Sequence, residues 1–325
     1  MAYSNFLIIQ TAFIGDAILA SSLVEKLHTR FPEASISILV RKGNESIYAD
    51  HPFLKEVLVW DKTQQKLRNL LNTLFLIRNR KYDCVINCHR YASSGFLTGF
   101  SGAKHKAGYK QTPFAYLFDT TVKHVIGNGT HETERYDQLV RDFTDEEVFK
   151  PRLYPGQGHI DQVAKYKTEP YICMAPASVW FTKQLPAEKW AELCSHFKTM
   201  RIYFLGSAAD KELCNKIRST RGQNNIEELA GNLGLLSSCA LMKDARMNFV
   251  NDSAPMHLCS SVNAPVTVFF CSTVPQLGFG PLSQNSIIKE VTGLDCRPCG
   301  LHGYMKCPKG HFKCGKEMDI SGIKR

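Results

Sequence analysis

Short apolar runs alternate with amphipathic helical patterns along the first half of the chain. The apolar runs predict buried strands at 6–9, 36–40, 57–59 and 83–86, and the helical patterns predict helices at 16–30 and 66–80. The segment 66–80 carries leucines as well as basic residues, and we expect its apolar face to pack into the core. Alternation of strands with helices is typical of a parallel sheet covered by helices.

The alternation weakens in a stretch that contains several prolines and glycines, residues 151–168. It then restarts, with strands predicted at 171–174, 202–205, 247–250 and 266–270 and helices at 187–198 and 210–218. A chain of 325 residues is long enough for two domains. We therefore predict an α/β protein with two doubly wound domains, residues 1–150 and 169–325, joined by a linker at 151–168.

Composition narrows the class of protein. Hydrophobic residues make up 44% of the chain and charged residues 22%, which excludes a disordered or coiled-coil protein. No apolar run approaches the ~20 residues of a membrane span, and no export signal is recognisable, so we expect a cytoplasmic protein with reduced cysteines. The net charge of +10 indicates an anionic partner, such as a phosphorylated substrate, a lipid surface or nucleic acid.

Gly15 and Asp16 lie where the first predicted strand passes into the first helix. Open parallel sheets bind ligands beyond the carboxyl ends of their strands, so an aspartate here could act as a general base. The simpler interpretation is that Asp16 caps the helix. The turn lacks the G-x-G-x-x-G motif, which argues against a dinucleotide-binding domain.

Two loops of the second half also follow predicted strands. Ser178, Thr182 and Lys183 share the first loop, where two hydroxyls and an ammonium suit a diphosphate, although a merely solvated loop explains them too. In the second loop, Asp252 could cap the next helix, whose first N–H groups would then form an anion site. His257 lies four residues after Ser253 on one helical face, or else faces the core.

Seven stretches, in order and spacing, resemble glycosyltransferase family 9, the bacterial lipopolysaccharide heptosyltransferase family. They are IGDAILASSL, FPEASISILV, HPFLKEV, KYDCVIN, SGAKHKAGY, APASVWFTKQLPAEKWAEL and NDSAPMHLCSSVNAPV, and the resemblance runs from about Leu7 to Cys314. It implies a GT-B fold, in which two Rossmann-like domains face a central cleft, the first for the acceptor and the second for the nucleotide sugar. It also implies inverting transfer of a heptose from ADP-heptose to a lipid A–inner core acceptor, at the cytoplasmic face of the inner membrane.

The resemblance implies that Asp16 is the catalytic aspartate of the family. It also implies that Asp210 binds the ribose hydroxyls of the donor. With the two loops above, the donor-binding candidates become Gly15, Ser178, Thr182, Lys183, Asp210, Asp252, Ser253, Ala254 and His257. Lys183 and the helix start would stabilise the leaving diphosphate, so catalysis needs no cofactor. Ala177 and Ala254 stand where the family often has glycine, which leaves the choice of donor sugar open.

Four cysteines crowd the end of the chain, within residues 296–314. Cys296, Cys299, Cys307 and Cys314 begin with a C-x2-C pair and could hold a structural zinc ion. The second pair lacks that spacing, and similar tails occur in the resembled family, so simple reduced thiols are the other interpretation.

Basic residues suggest where an anionic acceptor could bind. Arg41 ends the second predicted strand, and Lys104 and Lys106 belong to a basic cluster further along, although a solvated face would look the same. Two other classes remain open beside a glycosyltransferase: a nicotinamide-dependent oxidoreductase or epimerase, and a zinc-bearing nucleic-acid-binding protein. The dispersed basic residues and the lack of a nucleic-acid-binding motif argue against the last, and we expect no nucleic acid partner.

Overall fold

The computed structural model describes residues 3–220 and 224–323. The chain divides into two compact units, Met1–Tyr154 and Pro155–Arg325. Most of the stretch predicted as a linker belongs to the second unit, where it forms the helix α5 (Gln157–Ala164). This helix has eight residues and a single buried one, Val163. Such a short segment with one buried position carries too little periodicity to be predicted as a helix.

The first unit holds a six-stranded parallel sheet in the order β3-β2-β1-β4-β5-β6. Its strands are β1 (Asn5–Gln10), β2 (Ser35–Arg41), β3 (Leu54–Trp60), β4 (Cys84–Asn87), β5 (His105–Tyr109) and β6 (Thr120–Val122). Its helices are α1 (Ile14–Arg30), α2 (Lys66–Arg80), α3 (Ala92–Gly99) and α4 (Glu132–Asp137). The order reverses between β1 and β4, which makes the carboxyl ends of these two strands the switch point of the sheet.

The second unit repeats this arrangement with the order β12-β11-β10-β7-β8-β9, again all parallel. Its strands are β7 (Tyr171–Ala175), β8 (Arg201–Phe204), β9 (Ile226–Glu228), β10 (Asn248–Asn251), β11 (Val266–Phe270) and β12 (Ser286–Glu290). Its further helices are α6 (Ala187–Ser195), α7 (Lys211–Ser219), α8 (Leu235–Lys243), α9 (Ala254–Ser261) and α10 (Lys313–Lys316). The switch point lies between β7 and β10. The prediction of two doubly wound α/β domains is confirmed.

The central strands are buried on both faces, as expected for parallel strands between two layers of helices. The sequence patterns predicted these strands and missed β5, β6, β9 and β12. The missed strands lie at or beside a sheet edge and carry polar side chains, so they leave no apolar run to detect. Within the described ranges, none of the helices combines the length and apolar character that a membrane span requires.

Candidate active site

Asp16 lies in the first turn of α1, at the switch point of the first unit. Because α1 begins at Ile14 and Phe13 occupies the N-cap position, Asp16 is the third helical residue, and the N-cap interpretation is wrong. Its neighbour Gly15 is the second helical residue. Burial raises the pKa of Tyr136, and the charges of Glu132 and Asp16 contribute to that rise.

Lys62 is a residue of this edge that the sequence analysis missed. Its Nζ donates a hydrogen bond of 2.7 Å to the carbonyl oxygen of Thr11, the residue that follows β1, and lies 4.5 Å from the centre of the Trp60 ring. Burial lowers the pKa of Lys62 to about 8, and the charge of Arg41 acts in the same direction. A partly desolvated ammonium on the edge that bears Asp16 is well suited to an anionic group.

His89 completes this edge and was missed as well. Its Nδ1 lies 3.2 Å from the Thr11 hydroxyl, and burial lowers the pKa of His89 to about 3, with a contribution from Lys62 and Arg90. The ring is therefore neutral near pH 7. Both missed residues follow a strand within two positions, β3 for Lys62 and β4 for His89, which is the signal that could have found them.

The structure separates the three predicted acceptor residues. Arg41 is the last residue of β2, so it lies at the carboxyl edge, with its guanidinium carbon 5.6 Å from the centre of the Phe13 ring. Lys104 precedes β5 at the opposite edge, where its Nζ is 2.9 Å from Asp83. Lys106 lies in the amino half of β5 with its side chain toward Asp119. Proximity in sequence grouped Lys104 and Lys106, which the parallel sheet places away from Asp16, whereas Arg41 lies at the edge that bears Asp16.

Lys183 and Asp252 form an ion pair at the switch point of the second unit. The Lys183 Nζ lies 2.7 Å from Oδ2 of Asp252, and the two side chains are 14% and 6% exposed. The same carboxylate oxygen accepts a hydrogen bond of 2.5 Å from the Thr273 hydroxyl. Asp252 therefore orients the ammonium and does not cap α9 as expected, because Ser253 occupies the N-cap position.

The start of α9 presents two backbone donors beside this pair. Pro255 has no N–H, and the N–H of Met256 already bonds to the carbonyl oxygen of Ser253. The N–H groups of Ser253 and Ala254 are thus the ones that the first turn can offer to an anion. His257, in α9, is buried, which agrees with the alternative that this histidine faces the core.

Thr182 is enclosed by the protein, contrary to its expected contact with the donor. It is 1% exposed, its N–H donates to the carbonyl oxygen of Tyr304 at 3.0 Å, and its Oγ1 accepts from the N–H of Tyr304 at 2.7 Å. Beside it, Gly303 has φ +79°, and a Cβ there would lie 2.9 Å from Thr182 Oγ1 and 3.1 Å from Lys183 Cγ. The cysteine-rich tail is thus hydrogen-bonded, through Tyr304, to Thr182, the residue before Lys183.

Asn251 is a further positioning residue, which the sequence analysis missed. It is fully buried at the end of β10. Its side chain donates to the carbonyl oxygen of Pro176 at 2.8 Å and accepts from the N–H of Leu185 at 2.9 Å. These bonds hold both ends of the loop that carries half-buried Ser178 and Lys183. A polar residue inside an apolar strand was the available signal.

Asp210 has a structural partner in the turn after β8. Its Oδ2 accepts from the N–H of Ser207 at 2.7 Å and from the Ser207 hydroxyl at 2.8 Å. A Cβ on Gly206 would lie 2.9 Å from the same oxygen. The spacing of Gly206 and Asp210, predicted to mark a ribose site, is thus explained first by a capping box.

The four tail cysteines do not assemble a metal centre. Cys314 is buried against the hydrophobic core, and the Cys296 thiol lies 4.0 Å from Nε2 of His311. Burial, assisted by the other tail thiols, raises the pKa of Cys314 to about 11. Within residues 3–220 and 224–323, no three His, Cys, Asp or Glu side chains are grouped closely enough to hold a metal ion. One C-x2-C pair alone does not impose the tetrahedral arrangement that the zinc prediction needed.

A family model, glycosyltransferase family 9 (heptosyltransferase), matches residues 75–303, well over half of the chain. The chain belongs to glycosyltransferase family 9. It is therefore a glycosyltransferase, as predicted. It is similar to lipopolysaccharide heptosyltransferase 2 of Escherichia coli strain K12, at 24% identity over 89% of each chain.

Solved structures show that this family 9 member shares the GT-B fold. The structure of E. coli ADP-heptose lps heptosyltransferase II matches with a TM-score of 0.77 at 20% identity, covering 91% of this chain and 95% of that one. E. coli heptosyltransferase WaaC, solved with ADP-2-deoxy-2-fluoro heptose, matches with a TM-score of 0.69 at 17% identity, covering 87% and 92%.

Proposed function

We propose that this glycosyltransferase moves a heptose from ADP-heptose to a lipid A–inner core acceptor, with inversion at the anomeric carbon, in lipopolysaccharide biosynthesis. The reaction would take place at the cytoplasmic face of the inner membrane. The family supports transfer of a heptose, and the relatives described above support the pathway and the nucleotide. The observation that carries the proposal is the Lys183 ammonium, oriented by Asp252 beside the N–H groups at the start of α9, where a diphosphate could bind.

In this proposal the second unit binds the donor. The acceptor hydroxyl oxygen attacks the anomeric carbon while the bond from that carbon to the β-phosphate oxygen breaks. The electron pair of the broken bond stays on the departing ADP. Lys183 and the N–H groups of Ser253 and Ala254 stabilise the charge that develops there, so the reaction uses no cofactor. Asp210 would hold the ribose through the part of its carboxylate that Ser207 does not engage.

The first unit would bind the acceptor and take up the proton. Asp16, in the first turn of α1, accepts the proton of the attacking hydroxyl as a general base. Arg41 and Lys62 lie on the same edge and would bind an anionic group of the acceptor. His89, neutral at pH 7, can exchange hydrogen bonds there without adding charge.

Mass spectrometry tests this function directly. The purified chain is incubated with ADP-heptose and a lipid A core that lacks heptose, and we expect a gain of one heptosyl group with release of ADP. NMR of the product should show the anomeric configuration opposite to that of the donor. Transfer from a different nucleotide sugar, with ADP-heptose left intact, would overturn the donor assignment.

A further inference from the structure

Helix α2 has two apolar faces, and the fold uses only one of them. Thr73 and Ile77 are buried against the sheet, and several leucines pack partly into the same core. On another face, four residues apart, Leu67, Leu71 and Phe75 are 70%, 49% and 67% exposed. The expectation that the apolar face is core is thus correct for the first face and misses the second.

The charges along α2 are all positive. The helix contains Lys66, Arg68, Arg78 and Arg80 and no acidic residue. Arg80 is paired with Glu56, but Arg68 and Arg78 donate to neutral oxygens, those of the Gln65 side chain and the Phe100 backbone. Arg78 follows Phe75 by three positions and therefore shares the exposed apolar face.

Aromatic side chains extend this face beyond the helix. Arg78 reaches the carbonyl of Phe100, whose ring is 39% exposed and lies 6.0 Å from the ring of Phe114. Phe114 in turn lies 6.5 Å from Tyr116, which is 77% exposed. We define the α2 surface by its members: Leu67, Arg68, Leu71, Phe75, Arg78, Phe100 and Tyr116.

We propose that the α2 surface docks the enzyme on an anionic phospholipid bilayer. Apolar and aromatic side chains insert at the boundary of headgroups and acyl chains, and neighbouring arginines pair with lipid phosphates. Lys62, bound to Thr11, precedes the first residue of α2 by four positions. The helix therefore begins at the edge that bears Asp16, where a lipid-anchored acceptor would have to arrive.

The positive charge of the α2 surface favours a bilayer as its partner over a second copy of the chain. A symmetric dimer through the α2 surface would gather Arg68 and Arg78 of both copies into one interface, with no acidic residue of α2 to pair them. An anionic bilayer supplies phosphates to both arginines and a medium for the apolar side chains.

Flotation with vesicles tests the proposal on the full chain. Vesicles of phosphatidylcholine alone are compared with vesicles that also contain phosphatidylglycerol, and we expect binding to the anionic vesicles that declines as salt rises. Replacing both Leu71→Glu and Phe75→Glu should weaken binding by about tenfold or more. Arg68→Gln and Arg78→Gln should each weaken it by about fivefold. Ile160→Glu, at a 40% exposed isoleucine of α5, is the matched control and should bind as the wild type does.

The outcomes separate this inference from the proposed reaction, since vesicle binding needs neither donor nor acceptor sugar. Vesicle binding that the α2 variants leave unchanged, or no binding to anionic vesicles at all, would overturn it. So would a concentration-dependent dimer that the same variants abolish. Should the double glutamate variant fail to fold, the arginine variants alone decide, because they change exposed side chains. Transfer to a water-soluble acceptor fragment should persist in every folded variant.

Discussion

The two units of this protein share one strand order, and their switch points carry opposite chemistry. At the first, the edge that bears Asp16 also carries two basic side chains whose protonated forms are disfavoured by burial, with the pKa of Lys62 lowered to about 8 and that of His89 to about 3. At the second, a nearly buried carboxylate, Asp252, orients the ammonium of Lys183 beside a helix start.

The contrast shows that two sheets of the same topology can present different side chains at their carboxyl edges. A doubly wound sheet supplies an edge where loops converge, and the residues at the loop positions decide what that edge can do. We propose that the first edge accepts a proton and binds the acceptor, whereas the second binds and stabilises a leaving diphosphate. Variants on either edge should therefore damage different steps of the reaction.

The largest expected effect comes from the base. Asp16→Asn keeps the shape of the side chain and removes the group that accepts the proton, so kcat for transfer should fall by about 10²- to 10⁴-fold. The variant is compared in a steady-state assay with Asp161→Asn, which changes an exposed aspartate of α5 and should retain activity. Near-normal turnover of Asp16→Asn would show that this edge does not supply the base.

The next effect concerns the leaving group. Lys183→Ala should reduce kcat/KM for the donor by about 10- to 100-fold, because a phosphate-paired ammonium acts in both the ground state and the transition state. Lys189→Ala is the matched control, since Lys189 also faces a carboxylate, that of Glu192, outside the proposed site. Equal effects of the two variants would remove Lys183 from the donor site.

The cysteine-rich tail should increase the affinity of the second unit for ADP by holding Thr182 in place. Gly303→Ala would push against Thr182 and Lys183, and we expect the Kd for ADP to rise about tenfold, as misplacement of a binding group does. Gly310→Ala is the control, because Gly310 has a similar φ of +73° but open space around its Cβ. Thr182→Val should resemble Gly303→Ala, and Thr182→Ser should restore affinity. Similar Kd values for both glycine variants would contradict this role.

The smallest effect is a pH dependence at the first edge. Because the pKa of Lys62 is lowered to about 8, its ammonium is present below that pH and is lost as the pH rises through it. The KM for an anionic acceptor should therefore rise several-fold between about pH 7 and 9. Lys62→Arg keeps its charge over that range and should flatten the profile. A profile that Lys62→Arg leaves unchanged would place the titrating group elsewhere.

The sequence predicted the architecture because alternating apolar and helical patterns depend on local spacing, which one sequence contains. The sequence also suggested Asp16 and Lys183 as site residues, since both lie in the segments that come after buried strands. Thr182 was misassigned because the partner that encloses it, Tyr304, is 122 residues away. Lys104 and Lys106 were misplaced because a cluster of like charges in sequence does not say which edge of a sheet it occupies. Spacing alone left a metal site or simple thiols open for the tail cysteines, and it could not show that Cys314 packs into the core.

Calorimetric titration of ADP into the wild type, Asp16→Asn and Lys183→Ala tests most directly whether the second unit, and not the first, binds ADP. We expect Asp16→Asn to bind ADP as tightly as the wild type, within about twofold, since it lacks only a proton acceptor. Lys183→Ala should bind ADP at least about tenfold more weakly. Loss of ADP affinity in Asp16→Asn, together with unchanged affinity in Lys183→Ala, would contradict the assignment of anion binding to the second unit.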